Sequence, residues 1–244
     1  MVRRTLLAVV LLLVSLPTRS YPGLLDDVGG LLGKARSPGK GPDDAQIVSG
    51  LKEALSVGTA NAVTATSRVD GYFANQAIKI LIPENIRKVA DVLGKVGYQK
   101  QVDAFVLSMN RAAEKAAPQA RGYFAEAIRE MTFEDSRKIL NGGDTAATDY
   151  FREKTRKKLY DAFRPVVSSS MAEVGVTRSY QEMMGKYTAL PFAGGSESVD
   201  LDHHVTGKAL DGLFHTLGLE EKKIRTDPAA RVTDLLKTVF GMQR

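Results

Sequence analysis

A chain of 244 residues with 43% hydrophobic and 25% charged residues has the composition of an ordinary folded protein. It contains no cysteine, which excludes disulfides, thiolate metal sites and cysteine nucleophiles. The formal net charge is +6, but Arg3, Arg4 and Arg19 stand in the first twenty residues, a segment without acids. The remainder holds 31 basic and 28 acidic residues, and with no basic stripe interleaved with aromatics, nucleic acid is not expected as a partner.

The N-terminus has the pattern of an export signal. Arg3 and Arg4 precede an apolar run from Leu6 to Leu16, about ten residues and too short to span a bilayer as a helix. Pro17 breaks the run and the small residues Thr18 and Ser20 follow, so residues 1–20 read as a signal peptide cleaved after Ser20. Without cysteine there is no lipoprotein cleavage site. Residues 21–45 are rich in Gly and Pro and read as a flexible leader.

Residues 46–244 read as a single helical domain. Ile47, Leu51, Ala54, Leu55, Gly58 and Ala62 recur at helical spacing behind Asp43 or Asp44 as N-cap. Residues 77–83 (AIKILIP) are short and alternating, an isolated strand or an extended connector. Pro83 is expected at the first position of a helix that Gly97 closes. Tyr98 to Ala117 is strongly amphipathic, with Val102, Phe105, Val106, Met109, Ala113 and Ala116 on one face. Pro118 ends it and starts a helix to Met131. Thr132 and Asp135 resemble a capping box with Asp in place of Glu or Gln. A helix follows to Asn141, and Asp144 is expected to cap a long one that Pro165 should kink or end. Further helices are expected over Val176–Tyr187, Asp202–Arg225 and from Pro228 to Phe240, with Asp227 as N-cap and a loop over 191–198. The fold class is therefore all-α, a compact multi-helix domain with at most one or two very short strands.

The stretch ILNGGDTAATDYFREKT, Ile139 to Thr155, carries the main puzzle. Its double glycine before a helix start invites a phosphate-loop reading, since helix N-termini attract anions. It lacks the Gly-x-x-x-x-Gly-Lys-Ser/Thr pattern, and the Asp144 carboxylate would itself occupy the anion's place. Arg152 falls inside the apolar arc that holds Phe151, Leu159 and Phe163. A buried unpaired guanidinium is untenable, so a carboxylate or a bound anion is expected beside it. Glu114, on a polar stripe with Asp103 and Asn110, and Asp211, sharing a face with His204, Lys208 and His215, are the candidates. The basic run 152–158 reads as a solvated helix face, with acidic lipid or polyanion contact as the lesser reading. His204, Asp211 and His215 share a face, but that spacing is common on solvated helices, so no metal is assigned. Catalytic motifs such as Gly-x-Ser-x-Gly, His-Glu-x-x-His and the dinucleotide fingerprint are absent, so no cofactor is expected.

SMNRAAEKAAPQA (Ser108 to Ala120), ILNGGDTAATDYFREKT, VTGKALDGLFHTLGLEEKKIRTDP (Val205 to Pro228) and LKEALSVGTANAV (Leu51 to Val63) together resemble a bacterial family, domain of unknown function 4197. The resemblance runs from about residue 46 to the C-terminus. It implies an exported bacterial protein with no assigned activity and supplies no mechanism; the periplasm is the expected location. Asn110, Arg111, Glu114, Gly143, Asp144, Thr148, Arg152, Lys208, Asp211 and Glu221 match family-typical positions, whereas His204 and His215 depart from the pattern.

The expected role is a binding or structural module of the cell envelope with a buried Arg/carboxylate cluster. The candidate ligand site is Asn110, Arg111, Glu114, Arg152, Lys208 and Asp211. Its partner would be an envelope protein or a small anionic ligand, with peripheral membrane contact as a further option. The alternative is an enzyme with Glu114 or Asp211 as acid/base and Arg152 holding an anionic substrate.

Overall fold

The computed structural model describes residues 44–173, 175–191, 199–230 and 237. The expected signal peptide, the leader up to residue 43, most of the 191–198 loop and nearly all of the last helix beyond Ala230 lie outside these residues.

The helices are α1 (Asp44–Ser67), α2 (Arg87–Lys95), α3 (Gln99–Ala116), α4 (Ala120–Glu130), α5 (Phe133–Asn141), α6 (Ala146–Glu173), α7 (Val176–Thr188) and α8 (Leu201–Thr226). Short 3-10 turns occupy Glu84–Ile86, Ala117–Gln119 and Pro228–Ala230. Among the described residues there is no β-strand, so the protein is all-α. Residues 77–83 are the extended connector, not the strand.

Local signals explain most boundaries. Thr132 and Asp135 form a reciprocal capping box: the Asp135 N–H donates to Thr132 Oγ1 at 3.1 Å, and the Thr132 N–H to Asp135 Oδ2 at 3.0 Å. The Thr132 hydroxyl, 2.7 Å from Asp135 Oδ2, together with that N–H holds the Asp135 carboxyl below the usual range. Gly97, at φ 92°, turns the chain after α2 and lets the Tyr98 N–H reach the Leu93 carbonyl at 2.8 Å. Pro83 precedes a 3-10 turn, and α2 proper starts only at Arg87. Helix α8 starts at Leu201, one residue before the expected Asp202, and Asp200 caps it by accepting from the His203 N–H at 2.8 Å.

Pro165 neither ends nor replaces α6, which continues to Glu173. Proline removes one N–H, so the Asp161 carbonyl loses its helical partner. Both residues are exposed, and water can take up that carbonyl. On the opposite face Phe163 and Val167 are fully buried, and their burial holds the helix together through the defect.

Helix α8 lies at the centre. It packs against α6, α1 and α3, while α3 also packs on α6 and α7, and α1 on α4. The α6/α8 pair is antiparallel: Thr148 meets Glu221, Arg156 meets Asp211 and Arg164 meets Asp200. Phe124, Phe151 and Phe214 form an edge-on aromatic cluster where α4, α6 and α8 meet.

The chain between α1 and α2 is pressed flat against α8 at Gly212. A Cβ there would stand 2.6 Å from Tyr72 Cε1 and 3.0 Å from Ile78 Cβ. Gly212→Ala is therefore expected to destabilise by about 1–3 kcal/mol through overpacking. The measurement is urea unfolding, where the midpoint should fall with an unchanged slope. An unchanged midpoint would mean that this contact does not constrain the native state.

Candidate functional site

The non-helical segment 68–83 is held by two polar side chains one turn apart on α3. Asn110 is fully buried and treats Ile80 as a neighbouring strand would: Oδ1 accepts from the Ile80 N–H at 2.8 Å, and Nδ2 donates to the Ile80 carbonyl at 2.9 Å. Glu114, 4% exposed, accepts from the backbone N–H groups of Tyr72 and Phe73 at 3.1 and 3.2 Å through Oε1. Its Oε2 accepts from Arg111 at 2.6 Å, and Arg111 also binds Asp70 at 2.7 Å. Asp70 itself adopts φ 65°, an uncommon conformation for a residue with a side chain. From the other side Tyr72 donates its hydroxyl to the Ala209 carbonyl on α8 at 2.6 Å. Burial, reinforced by the nearby Glu114 charge, pushes that phenol well above its ordinary range.

The double-glycine stretch resolves differently from its sequence. Helix α6 opens at Ala146, beyond Asp144, and the carboxylate at its N-terminus is Glu221 from α8. Glu221 accepts from the Ala147 N–H at 2.9 Å, and from the Thr148 N–H and hydroxyl at 2.9 and 2.8 Å. Arg225 neutralises it at 2.8 Å and reaches the Ile139 carbonyl at the end of α5. The helix terminus does hold an anion, and that anion is the protein's own side chain. Gly142 is required by close approach, since a Cβ would meet that of Ala146 at 2.5 Å, whereas Gly143 has open space. The sequence marks Glu221 as a carboxylate on the apolar face between Leu217 and Ile224, the same signal that flags Glu114.

Arg152 corrects the main sequence expectation. Among the described residues it pairs with neither Glu114 nor Asp211, nor with any other carboxylate. It is half-buried at the edge of the α6 apolar face, with its guanidinium 4.8 Å from the Phe214 ring centroid. An aromatic face on one side and water on the other satisfy it, worth about 0.5–2 kcal/mol. Asp211 pairs instead with Arg156 at 3.0 Å, one turn further along α6. The rest of the basic run is dispersed, with Lys157 on Asp161 and Lys158 on Glu126.

A cleft of about 480 Å³ opens between the connector and α8. Ala77, Ile78, Leu81 and Ile82 give it an apolar wall, and Leu81 remains 59% exposed there. Lys79, Glu84 and Arg87 line it from the connector side, and His204, Lys208, Asp211 and His215 from α8. Both acids are engaged by arginines, Glu84 by Arg87 and Asp211 by Arg156. Lys79 lies 4.2 Å over the Phe73 ring, and neither it nor Lys208 has a carboxylate partner among the described residues. His204 is half-buried and bonds the Leu81 carbonyl through Nε2 at 3.0 Å. Burial lowers its affinity for a proton, outweighing the Leu81 bond that favours the charged ring, and Lys208 and His203 add to the lowering. Among the described residues no group of three or more His, Cys, Asp or Glu is placed to hold a metal ion.

The six candidate residues thus fall in three places. Lys208 and Asp211 line the cleft. Asn110, Arg111 and Glu114 brace the connector from α3. Arg152 sits against Phe214.

A family model described as "Protein of unknown function (DUF4197)" matches residues 41–241. The chain belongs to the DUF4197 family. No curated protein and no solved structure matches it. The family assignment covers every helix described above, so the braced connector and its cleft lie within the DUF4197 region. No described helix is long and apolar enough to cross a membrane.

The geometry ranks the two arginine environments. Glu221→Ala should cost about 3–5 kcal/mol, because Arg225 and the α6 N-terminus lose their shared carboxylate in a buried setting. Arg152→Met should cost about 0.5–2 kcal/mol, losing only a cation–π contact. Chemical denaturation of the two variants checks this order, and a costlier Arg152→Met would overturn the placement of Arg152.

Proposed function

We propose that the protein is an exported binding module of the cell envelope that holds a small anionic ligand in the cleft between residues 77–87 and α8. The observation that supports this most is the charge arrangement there. Two lysines without carboxylate partners face a concave space in which both acids are already engaged by arginines. Its volume lies within the range of about 300–1,000 Å³ used for small molecules. The apolar wall favours a ligand with a hydrophobic part beside its charge.

Export is inferred from residues 1–20. The intact mass of the protein recovered from the periplasm should correspond to a chain beginning at Tyr21. Recovery of the uncleaved chain in the cytoplasm would remove this part of the proposal.

Thermal unfolding against organic anions tests the cleft. A binder at a hundredfold excess over Kd raises stability by about 2.7 kcal/mol. Lys79→Gln combined with Lys208→Gln should abolish that gain while lowering the stability of the unliganded protein by no more than about 1 kcal/mol, the loss of the Lys79–Phe73 cation–π contact. A gain undiminished in this double variant would move the ligand elsewhere.

An enzyme is the second reading. Of the two candidate carboxylates, Asp211 lines the cleft, while the oxygens of Glu114 accept from Tyr72, Phe73 and Arg111. Under this reading Asp211→Asn would stop turnover of a cleft ligand and spare its binding.

A further inference from the structure

We infer that an anion entering the cleft is taken up together with a proton on His204, so that occupancy of this site is regulated by pH. The inference rests on the anion-binding reading of the cleft and adds a coupling to it.

The imidazole is fixed by its contact with the connector. A backbone carbonyl can only accept, so the 3.0 Å bond to Leu81 requires a hydrogen on Nε2 in either protonation state. Nδ1 is then the atom that gains or loses the proton, and titration need not break the link between α8 and the connector. The charge His204 would acquire is disfavoured in the empty cleft. It is half-buried, Lys208 stands one turn along α8, and His203 precedes it.

The other charged groups around the cleft do not relieve this. From the connector come Lys79, and Glu84 held by Arg87. From α8 come His215, Asp211 held by Arg156 of α6, and at its start Asp200, which accepts from the His203 N–H and pairs with Arg164 of α6. On the α6 side Tyr160 bonds Nδ1 of His203 at 2.7 Å and provides no carboxylate for His204. An anionic ligand supplies the missing negative charge. It offsets the repulsion from Lys208 and makes the imidazolium favourable. By linkage, a ligand that raises the proton affinity of His204 binds the protonated protein more tightly by the same factor. Histidine is the side chain suited to this, because its ordinary titration lies between pH 5 and 8.

The probe is pentanesulfonate, whose charge is fixed across that range and whose alkyl chain suits the apolar wall, with sulfate beside it. Calorimetric titration at pH 5.5 and pH 8, in buffers of different ionisation enthalpy, reads affinity and proton uptake together. NMR of the imidazole C2–H resonances, with and without probe, identifies the residue that titrates. Binding should tighten at least about fivefold at the lower pH, with a proton taken up at intermediate pH and the His204 titration moved upward by the probe. His204→Gln keeps a donor for Leu81 but cannot titrate, so its affinity should no longer follow pH. His215→Gln should retain the dependence.

Binding that is equally tight at both pH values, with an unmoved His204 titration, would overturn the coupling and leave the anion cleft standing. A pH dependence that survives in His204→Gln and disappears in His215→Gln would overturn the assignment to His204. No binding of either probe at any pH would overturn both the coupling and the anion-binding reading.

Discussion

Buried backbone must find hydrogen-bond partners, and in this helical protein the demand concentrates on residues 68–83. They cross between α1 and α2 outside any helix, with turn bonds over residues 68–79 that leave the N–H groups of Tyr72, Phe73 and Ile80 to side chains, and Tyr72, Ile78 and Ile80 are buried. Asn110 and Glu114 answer that demand from α3. Tyr72 and His204 fasten the same segment to α8. An apolar side chain at position 110 or 114 would pack no worse, but it would leave several buried amides unpaired. These bonds fasten the segment to α3 and α8, and the cleft lies between it and α8.

Two carboxylates on apolar helix faces perform related tasks at separate places in the bundle. Glu114 gathers backbone N–H groups of the turn after α1, with Arg111 as its counter-charge. Glu221 gathers those at the start of α6, with Arg225. Each joins elements remote in sequence, and each carries an arginine three or four residues away on its own helix. Among the described residues the two buried carboxylates therefore serve backbone capping. Arg152, the most conspicuous arginine in the chain pattern, belongs to neither pair and rests on an aromatic ring instead.

The cleft follows a different electrostatic rule. Its acids are held by arginines, which leaves the cationic surplus on Lys79 and Lys208, on opposite walls. A surplus that the fold does not consume internally is available to a ligand. Under the proposed function, the apolar side chains beside it would favour organic anions over bare inorganic ones.

How much of this was legible beforehand depends on the range of the interaction. Helix periodicity and capping act within a few residues, so the amphipathic face of α3, the Thr132–Asp135 box and the Gly97 stop were readable from spacing alone. The polar residues on apolar faces were also recognisable as needing partners. Their actual partners were not, because the helical wheel gives a direction and not what stands there. Position on the wheel brought Arg152 into the apolar arc, but only the packing of α6 on α8 decided that Phe214, and not Glu114 or Asp211, lies against it. The same crossing set Glu221 in the place expected of Asp144. The connector carried an alternating pattern compatible with a strand, and only its contact with Asn110 settled that its strand-like hydrogen bonds go to a side chain. The sequence by itself determined the helices and the residues that could not remain unpaired. Tertiary structure decided the pairings and the cleft, since both depend on distances between elements far apart along the chain.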